Sequence, residues 1–305
     1  MSLNKNAAHE LFALDKTQLR VSFERAAAAY DGAAVLQREI ADRMLARLDL
    51  IRHRPETILD AGCGTGYGGR ALARRYRAAR VVGLDIAAGM AAHARRKAGW
   101  FSRGRYICGD IEALPLAPAS VDMIVSNLTL QWCTPDMVFA EFRRVLRPGG
   151  LLMFTTFGLD TLRELRRAWG AVDDRPHVHA FMDMHDLGDA LVRAGFADPV
   201  MDMEHFTLTY GGVLEVLRDL KRLGAHNVAR GRPRGFTGKE HFARFRSAYE
   251  SMAVGGRIPA TYEAVYGHAW APEKRDEGRG AGDEGWKPVS ISRRTSSQPW
   301  PVNED

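Results

Sequence analysis

Asp60-Ala-Gly-Cys-Gly-Thr-Gly66 follows directly on Thr57-Ile-Leu-Asp60, a short apolar run that reads as a buried strand. Glycines in such a turn let the main chain approach a ligand, and a helix starting behind them offers its unpaired N–H groups. Gly64, Gly66 and Gly69 also keep the spacing of a dinucleotide-binding loop. That spacing alone is weak, so the residues downstream decide. Asp85 closes the next strand-like run, Arg80-Val-Val-Gly-Leu-Asp85, and Ile86 follows it. A carboxylate there can accept both hydroxyls of a ribose. Asp110 closes the third run, in Gly109-Asp-Ile-Glu112, where an adenine amino group would lie beside Ile111. The loop Asp60, Gly62, Gly64 and Gly66, with Asp85, Ile86, Asp110, Ile111 and Asn127, is the candidate ligand site.

Strand and helix patterns alternate outward from this loop. Strands are predicted over 57–60, 80–85, 105–108, 121–126 and 151–155, with helices to about Tyr76, over 87–98 and over 135–146. Such alternation gives an α/β fold with a mostly parallel sheet covered on both faces. Two helices, 16–30 and 33–50, lead in; in the second, Leu36, Ile40, Met44 and Leu48 recur every four residues. Helices over 159–172 and 184–194 and strands over 199–209 and 259–270 complete a doubly wound, seven-stranded, Rossmann-like sheet. Between the last two strands, helices over 211–223 and 238–253 flank a basic loop, 229–235, and are placed to form a lid over the sheet's carboxyl edge. The divisions are 1–55 for the lead-in helices, 56–210 for the α/β core, 211–257 for the insertion, 258–271 for the final strand and 272–305 for a tail. The tail is rich in Gly, Ser, Pro and charge and is expected to be disordered.

Composition excludes several classes. No apolar run reaches the roughly 18 residues of a spanning helix, and the first residues lack a signal peptide's apolar stretch, so no membrane is expected and the location is expected to be cytoplasmic. Three cysteines, Cys63, Cys108 and Cys133, do not make a secreted disulfide framework. The net charge of +6 suits an acidic partner or reflects an Arg-rich composition. Nucleic acid is not expected, because no recognition helix, zinc finger or aromatic RNA-binding signature is present.

The ordered set of glycine loop, Asp85, Asp110, the Val121–Asn127 run and Leu146-Arg-Pro-Gly-Gly150 resembles the class I S-adenosylmethionine-dependent methyltransferases over most of 57–155. An oxidoreductase is the competing reading, but no lysine and tyrosine at helical spacing offers itself for hydride transfer. Outside the loop, Phe23-Glu-Arg-Ala-Ala-Ala-Ala-Tyr-Asp31, Ser126-Asn-Leu-Thr-Leu-Gln-Trp-Cys133, Ala171-Val-Asp-Asp-Arg-Pro-His177 and Leu220-Lys-Arg-Leu-Gly-Ala-His226 resemble the malonyl-[acyl-carrier protein] O-methyltransferase family of biotin synthesis. The likeness spans roughly residues 18 to 270. The Leu-Gln-Trp segment is also similar to one in trans-aconitate methyltransferase.

The resemblance implies S-adenosylmethionine as cofactor and a malonyl group on acyl-carrier protein as substrate, giving a malonyl methyl ester. A carboxylate with a reference pKa near 4 is already a nucleophile at pH 7, so positioning groups are needed in place of a general base. Tyr30, Gln131 and Trp132 are the candidates for the reaction site, Tyr30 first among them, with a core role as the alternative for Tyr30 and Trp132. Lys221, Arg222, Arg230, Arg232 and Arg234 are the candidates for carrier contact, or a solvated face. The His177-Val-His179 pair, with Asp183 and His185, invites a metal reading, but this chemistry needs none and none is expected. Gly158-Leu-Asp-Thr161 and His185-Asp-Leu-Gly188 are similar to segments of mitochondrial complex I assembly factors, one of them an arginine hydroxylase. A non-catalytic cofactor-binding protein is the third alternative.

Overall fold

The computed structural model describes residues 14–99, 104–225, 227–228 and 238–273. Arg230, Arg232 and Arg234, and nearly all of the expected 272–305 tail, lie outside the described residues. The chain enters through α1 (Lys16–Ala26), α2 (Tyr30–Ala33) and α3 (Val35–Ala46). The alternating part runs β1 (Thr57–Ala61), α4 (Tyr67–Arg75), β2 (Arg80–Asp85), α5 (Ala88–Ala98), β3 (Arg105–Cys108), β4 (Val121–Asn127), α6 (Pro135–Val145) and β5 (Leu146–Phe157). Then come α7 (Arg163–Gly170), α8 (Met184–Arg193), β6 (Ala197–Tyr210), α9 (Val213–Arg222), α10 (Lys239–Glu250) and β7 (Ile258–Trp270).

The seven strands form one sheet in the order β3-β2-β1-β4-β5-β7-β6. β7 runs antiparallel to both neighbours, and the remaining pairs are parallel. The order reverses between β1 and β4, and in open α/β sheets the ligand crevice forms beyond the strand ends at such a point.

Side chains alternate across a strand, so adjacent residues serve opposite faces. Ile58, Val81, Met123 and Leu151 belong to one core, and their neighbours Leu59, Val82, Ile124 and Leu152 to the other. α3 covers the first face with Leu36, Ile40 and Met44. α6 covers the second with Val138, Phe139, Phe142 and Val145. Each such side chain contributes roughly 1.5–3 kcal/mol on burial. Up to Glu273 the chain groups as one unit. Among the described residues, no helix is long and apolar enough to cross a membrane.

Two expected helices are interrupted. The 16–30 helix ends at Ala26, and α2 follows as a separate short turn before α3. An Ala run would propagate a helix on propensity alone, but tertiary bonds at Asp31 prevail. Its carboxylate accepts the Thr65 hydroxyl (2.5 Å) and pairs with Lys97, while its carbonyl accepts Arg38 (2.6 Å). The 159–172 helix starts only at Arg163. Before it, Asp160 N–H donates to Glu263 (2.7 Å) and Leu162, at φ 56°, donates to the Thr261 carbonyl (2.7 Å).

Candidate active site

β1 delivers the chain to a turn whose glycines have different work. Gly62, at φ 76°, lies so close to Thr129 that an added Cβ would sit 2.1 Å from the threonine hydroxyl. Its N–H, like that of Cys63, donates to the Leu84 carbonyl and ties the turn to β2. Gly64, at φ 50°, has no atom within 4 Å of an added Cβ and lines an open cleft. Gly66, at φ 79°, caps α4, and a Cβ there would meet Ala94 of α5 at 2.8 Å. Gly66 therefore packs the start of α4 against α5, and it does not line the cleft.

Asp85 closes β2 with both carboxylate oxygens engaged. Oδ2 accepts the Gly64 N–H and Oδ1 the Ala87 N–H, each at 2.9 Å. Burial pushes this carboxyl up to about 6, against the pull of the two amides. The remaining lone pairs border the cleft. Asp110 accepts the Glu112 N–H at Oδ1 (2.9 Å) and the Lys16 ammonium at Oδ2 (2.5 Å), and Lys16 also reaches Glu112 at 2.5 Å. Lys16, which no local pattern marks, thus clamps α1 onto the loop after β3.

The cleft opens over the glycine turn, the kind of concave site that a small-molecule cofactor occupies. Gly62, Gly64, Asp85, Ile86, Asp110, Ile111 and Asn127 form its floor and sides. Leu19, Phe23 and Tyr30 from the lead-in helices form the opposite wall. The Tyr30 phenol is desolvated and near Asp85, and both effects raise its pKa, so it stays a protonated donor. Asn127 donates to the Gln37 carbonyl (3.1 Å) and accepts the Thr155 hydroxyl (2.7 Å).

Asp60 lies beneath the loop, buried, and lines no part of this cleft. An added Cβ on Gly69 would come within 2.9 Å of Asp60 Oδ2, so the carboxyl supports the start of α4 from inside. Burial pushes it up to about 7, with the Gly69 amide opposing. A carboxyl raised on folding favours the native state most below its unfolded pKa, near 4, and loses that contribution as pH rises through 7. The melting temperature of Asp60→Asn relative to the parent is therefore expected to rise between pH 5 and pH 8. A difference that stays flat over that range would mean that Asp60 is ionised in the folded chain at pH 5.

Trp132 ends a short 3₁₀ turn after β4 and meets the Phe23 ring edge-on at 5.6 Å. It lines the first cleft and also a second cavity of about 320 Å³, bounded by α7, α9 and the 177–181 segment. Lys221 of α9 lines this second cavity, and Arg222 is exposed beside it. Gln131, the third candidate, lines neither of these two spaces. Its amide donates to the Leu128 carbonyl (2.7 Å) and accepts the Thr156 hydroxyl (3.3 Å), bracing Leu128 at φ 50°. The histidines do not converge. His177 bonds Asp173 (2.9 Å) and stacks on Trp169 at 3.9 Å, and His185 bonds Asp183 (2.7 Å).

A reversed seven-stranded sheet, with a glycine loop after β1 and acids closing β2 and β3, is the architecture of a class I methyltransferase, whose methyl donor is S-adenosylmethionine. A methyltransferase-domain family profile matches residues 59–154. A putative methyltransferase from Bacillus halodurans shares the fold, with a TM-score of 0.56 at 18% identity over 75% of this chain and 98% of that one. Two bacterial proteins are far more alike in sequence. Malonyl-[acyl-carrier protein] O-methyltransferase of Laribacter hongkongensis is 54% identical, over 88% of this chain and 96% of that protein. The protein of the same name from Gallionella capsiferriformans is 52% identical, again over 88% and 96%. The chain belongs to the malonyl-[acyl-carrier protein] O-methyltransferase family.

Proposed function

We propose that this chain transfers a methyl group from S-adenosylmethionine to the free carboxylate of a malonyl group carried on acyl-carrier protein. The observation that carries this reading is the identity of 54% to a methyltransferase of that name over nearly the whole chain. The same identity disfavours the arginine-hydroxylase, assembly-factor and non-catalytic readings. The residues of the first cleft fit the cofactor. Gly64 leaves room where a Cβ would stand, Asp85 offers acceptors for ribose hydroxyls, and Asp110 and Ile111 frame the place for an adenine. When bound, the cofactor supplies a methyl group activated by a positively charged sulfur.

The chain's own residues then have three tasks. Tyr30, held protonated, donates a hydrogen bond near the reacting groups and cannot act as a base at neutral pH. Trp132 and Phe23 exclude water from the meeting point of the two spaces. A dry, fixed approach of oxygen to methyl is a proximity effect, worth up to roughly 7–11 kcal/mol in favourable cases. Lys221 and Arg222, exposed on α9, attract the acidic carrier more than they stabilise the fold, because exposed ion pairs contribute little, and the charges of Arg230, Arg232 and Arg234 add to that attraction.

The test is methyl transfer from labelled cofactor to malonyl-carrier, read as a base-labile methyl ester. Malonyl-carrier is expected to take up label, and acetyl-carrier, which lacks a nucleophilic oxygen at that end, is expected to take up none. Equal labelling of the two would sink the carboxylate reading.

A further inference from the structure

The second cavity is mostly apolar, walled by Phe157, Leu162, Leu165, Phe181, Leu217 and Leu220. Two polar side chains in its wall stand out. His179 is 7% exposed, and its Nε2 is buried with no hydrogen-bond partner among the described residues. Gln37 has its Oε1 in the same condition, and its main-chain carbonyl holds Asn127 of the first cleft. A folded chain rarely leaves buried polar atoms unmatched, and where it does the site asks for an explanation. Both orphans border one space, and the His179 ring lies 4.7 Å from Trp132, the ring common to the two cavities.

We propose that the second cavity takes the malonyl end of the carrier's arm, and that His179 Nε2–H donates to the carboxylate oxygen that is not methylated. This rests on the malonyl reading above and adds a positioning residue and a place for the acyl group. The reacting oxygen has to meet the methyl at the wall formed by Trp132, and a donor next to that ring reaches the other oxygen of the same carboxylate. Burial, helped by the charge of Arg166, holds the His179 imidazole down to about 4, so it is neutral at working pH. A neutral donor orients the carboxylate without pairing a full positive charge against the nucleophile. The nearby cations are placed accordingly. Arg166 is spent on the Leu159 and Thr161 carbonyls (3.1 and 3.0 Å), and Lys221, which also lines the cavity, is an exposed residue of α9 open to water.

His179→Phe fills the same space without a donor, and His179→Gln restores an N–H at similar reach. With the full chain and malonyl-carrier, the Phe variant is expected to lose at least tenfold in kcat/KM and the Gln variant to regain most of it. Cofactor affinity and melting temperature are expected to hold in both. In ¹⁵N-histidine-labelled protein carrying S-adenosylhomocysteine, a malonyl N-acetylcysteamine thioester is expected to shift the resonance that His179→Phe removes. Wild-type kcat/KM in the Phe variant, or no shift with the thioester, overturns the proposal. So does a loss shared by both variants that tracks a lower melting temperature and weaker cofactor binding. If the parent chain makes no ester yet the thioester shifts His179, the methyl-transfer reading falls and the binding site stands.

Discussion

Asp85→Ala is expected to bind S-adenosylmethionine at least tenfold more weakly while remaining folded. The carboxylate accepts both the Gly64 and the Ala87 amides, each at 2.9 Å. Truncation removes the proposed ribose acceptors and leaves those two donors unmatched. Each unmatched buried donor costs about 1–3 kcal/mol. Part of that destabilises the loop, and the rest appears in binding, where about 1.4 kcal/mol is tenfold. Asp85→Asn separates the two contributions, since its amide oxygen still accepts one N–H. Because burial pushes the Asp85 carboxyl up to about 6, the parent's affinity is expected to fall as pH drops from 7.5 to 5 and the acceptor becomes protonated. The Ala variant is expected to lack that contribution. Calorimetry giving unchanged affinity in a folded Asp85→Ala chain would remove Asp85 from the cofactor site.

The parts of this site that were legible in the sequence are those fixed by strand ends. A strand buried on both faces shows as an apolar run, so the position of Asp85 follows from where Arg80–Asp85 stops, while Asp110 stands two residues past the half-exposed edge strand Arg105–Cys108. The crevice follows from the alternation of strands and helices. What stayed hidden depends on contacts distant in sequence. Lys16 meets Asp110 across 94 positions, and nothing near Lys16 distinguishes it from a solvated lysine. The break between α1 and α2 is set by Thr65, Lys97 and Arg38 acting on Asp31, against the local preference of an alanine run. The packing of Gly66 against Ala94, and the hydrogen bonds of Gln131 to Leu128 and Thr156, are likewise contacts that residue type alone does not reveal. In the sequence His179 stands out only as one of a histidine pair, because the unmatched state of its Nε2 among the described residues is a property of the packed 177–181 segment.

The glycine loop supplies the second large effect, and it divides two residues that the motif treats alike. Gly64→Leu is expected to abolish measurable cofactor binding, a loss of at least 100-fold, in a chain that still folds. Its Cβ meets nothing within 4 Å on the protein side, and the rest of the side chain has to occupy the cleft that Gly64 lines. The φ of 50° adds a left-handed penalty of about 1–2 kcal/mol. In a chain of this size that lowers the melting temperature by only a few degrees. Gly62→Ala is expected to do the reverse. Its Cβ would fall 2.1, 2.4 and 2.7 Å from three side-chain atoms of Thr129, a contact that cannot persist. Thr129 has to move, and it follows Leu128, whose own φ of 50° is held by hydrogen bonds to Thr155. The main effect there is lost stability, of the several kcal/mol typical of overpacking joined to backbone strain. Thermal melts and calorimetry on the two variants separate the cases. A Gly64→Leu chain that binds the cofactor as the parent does would place the ligand somewhere other than this cleft, whatever the fate of Gly62→Ala.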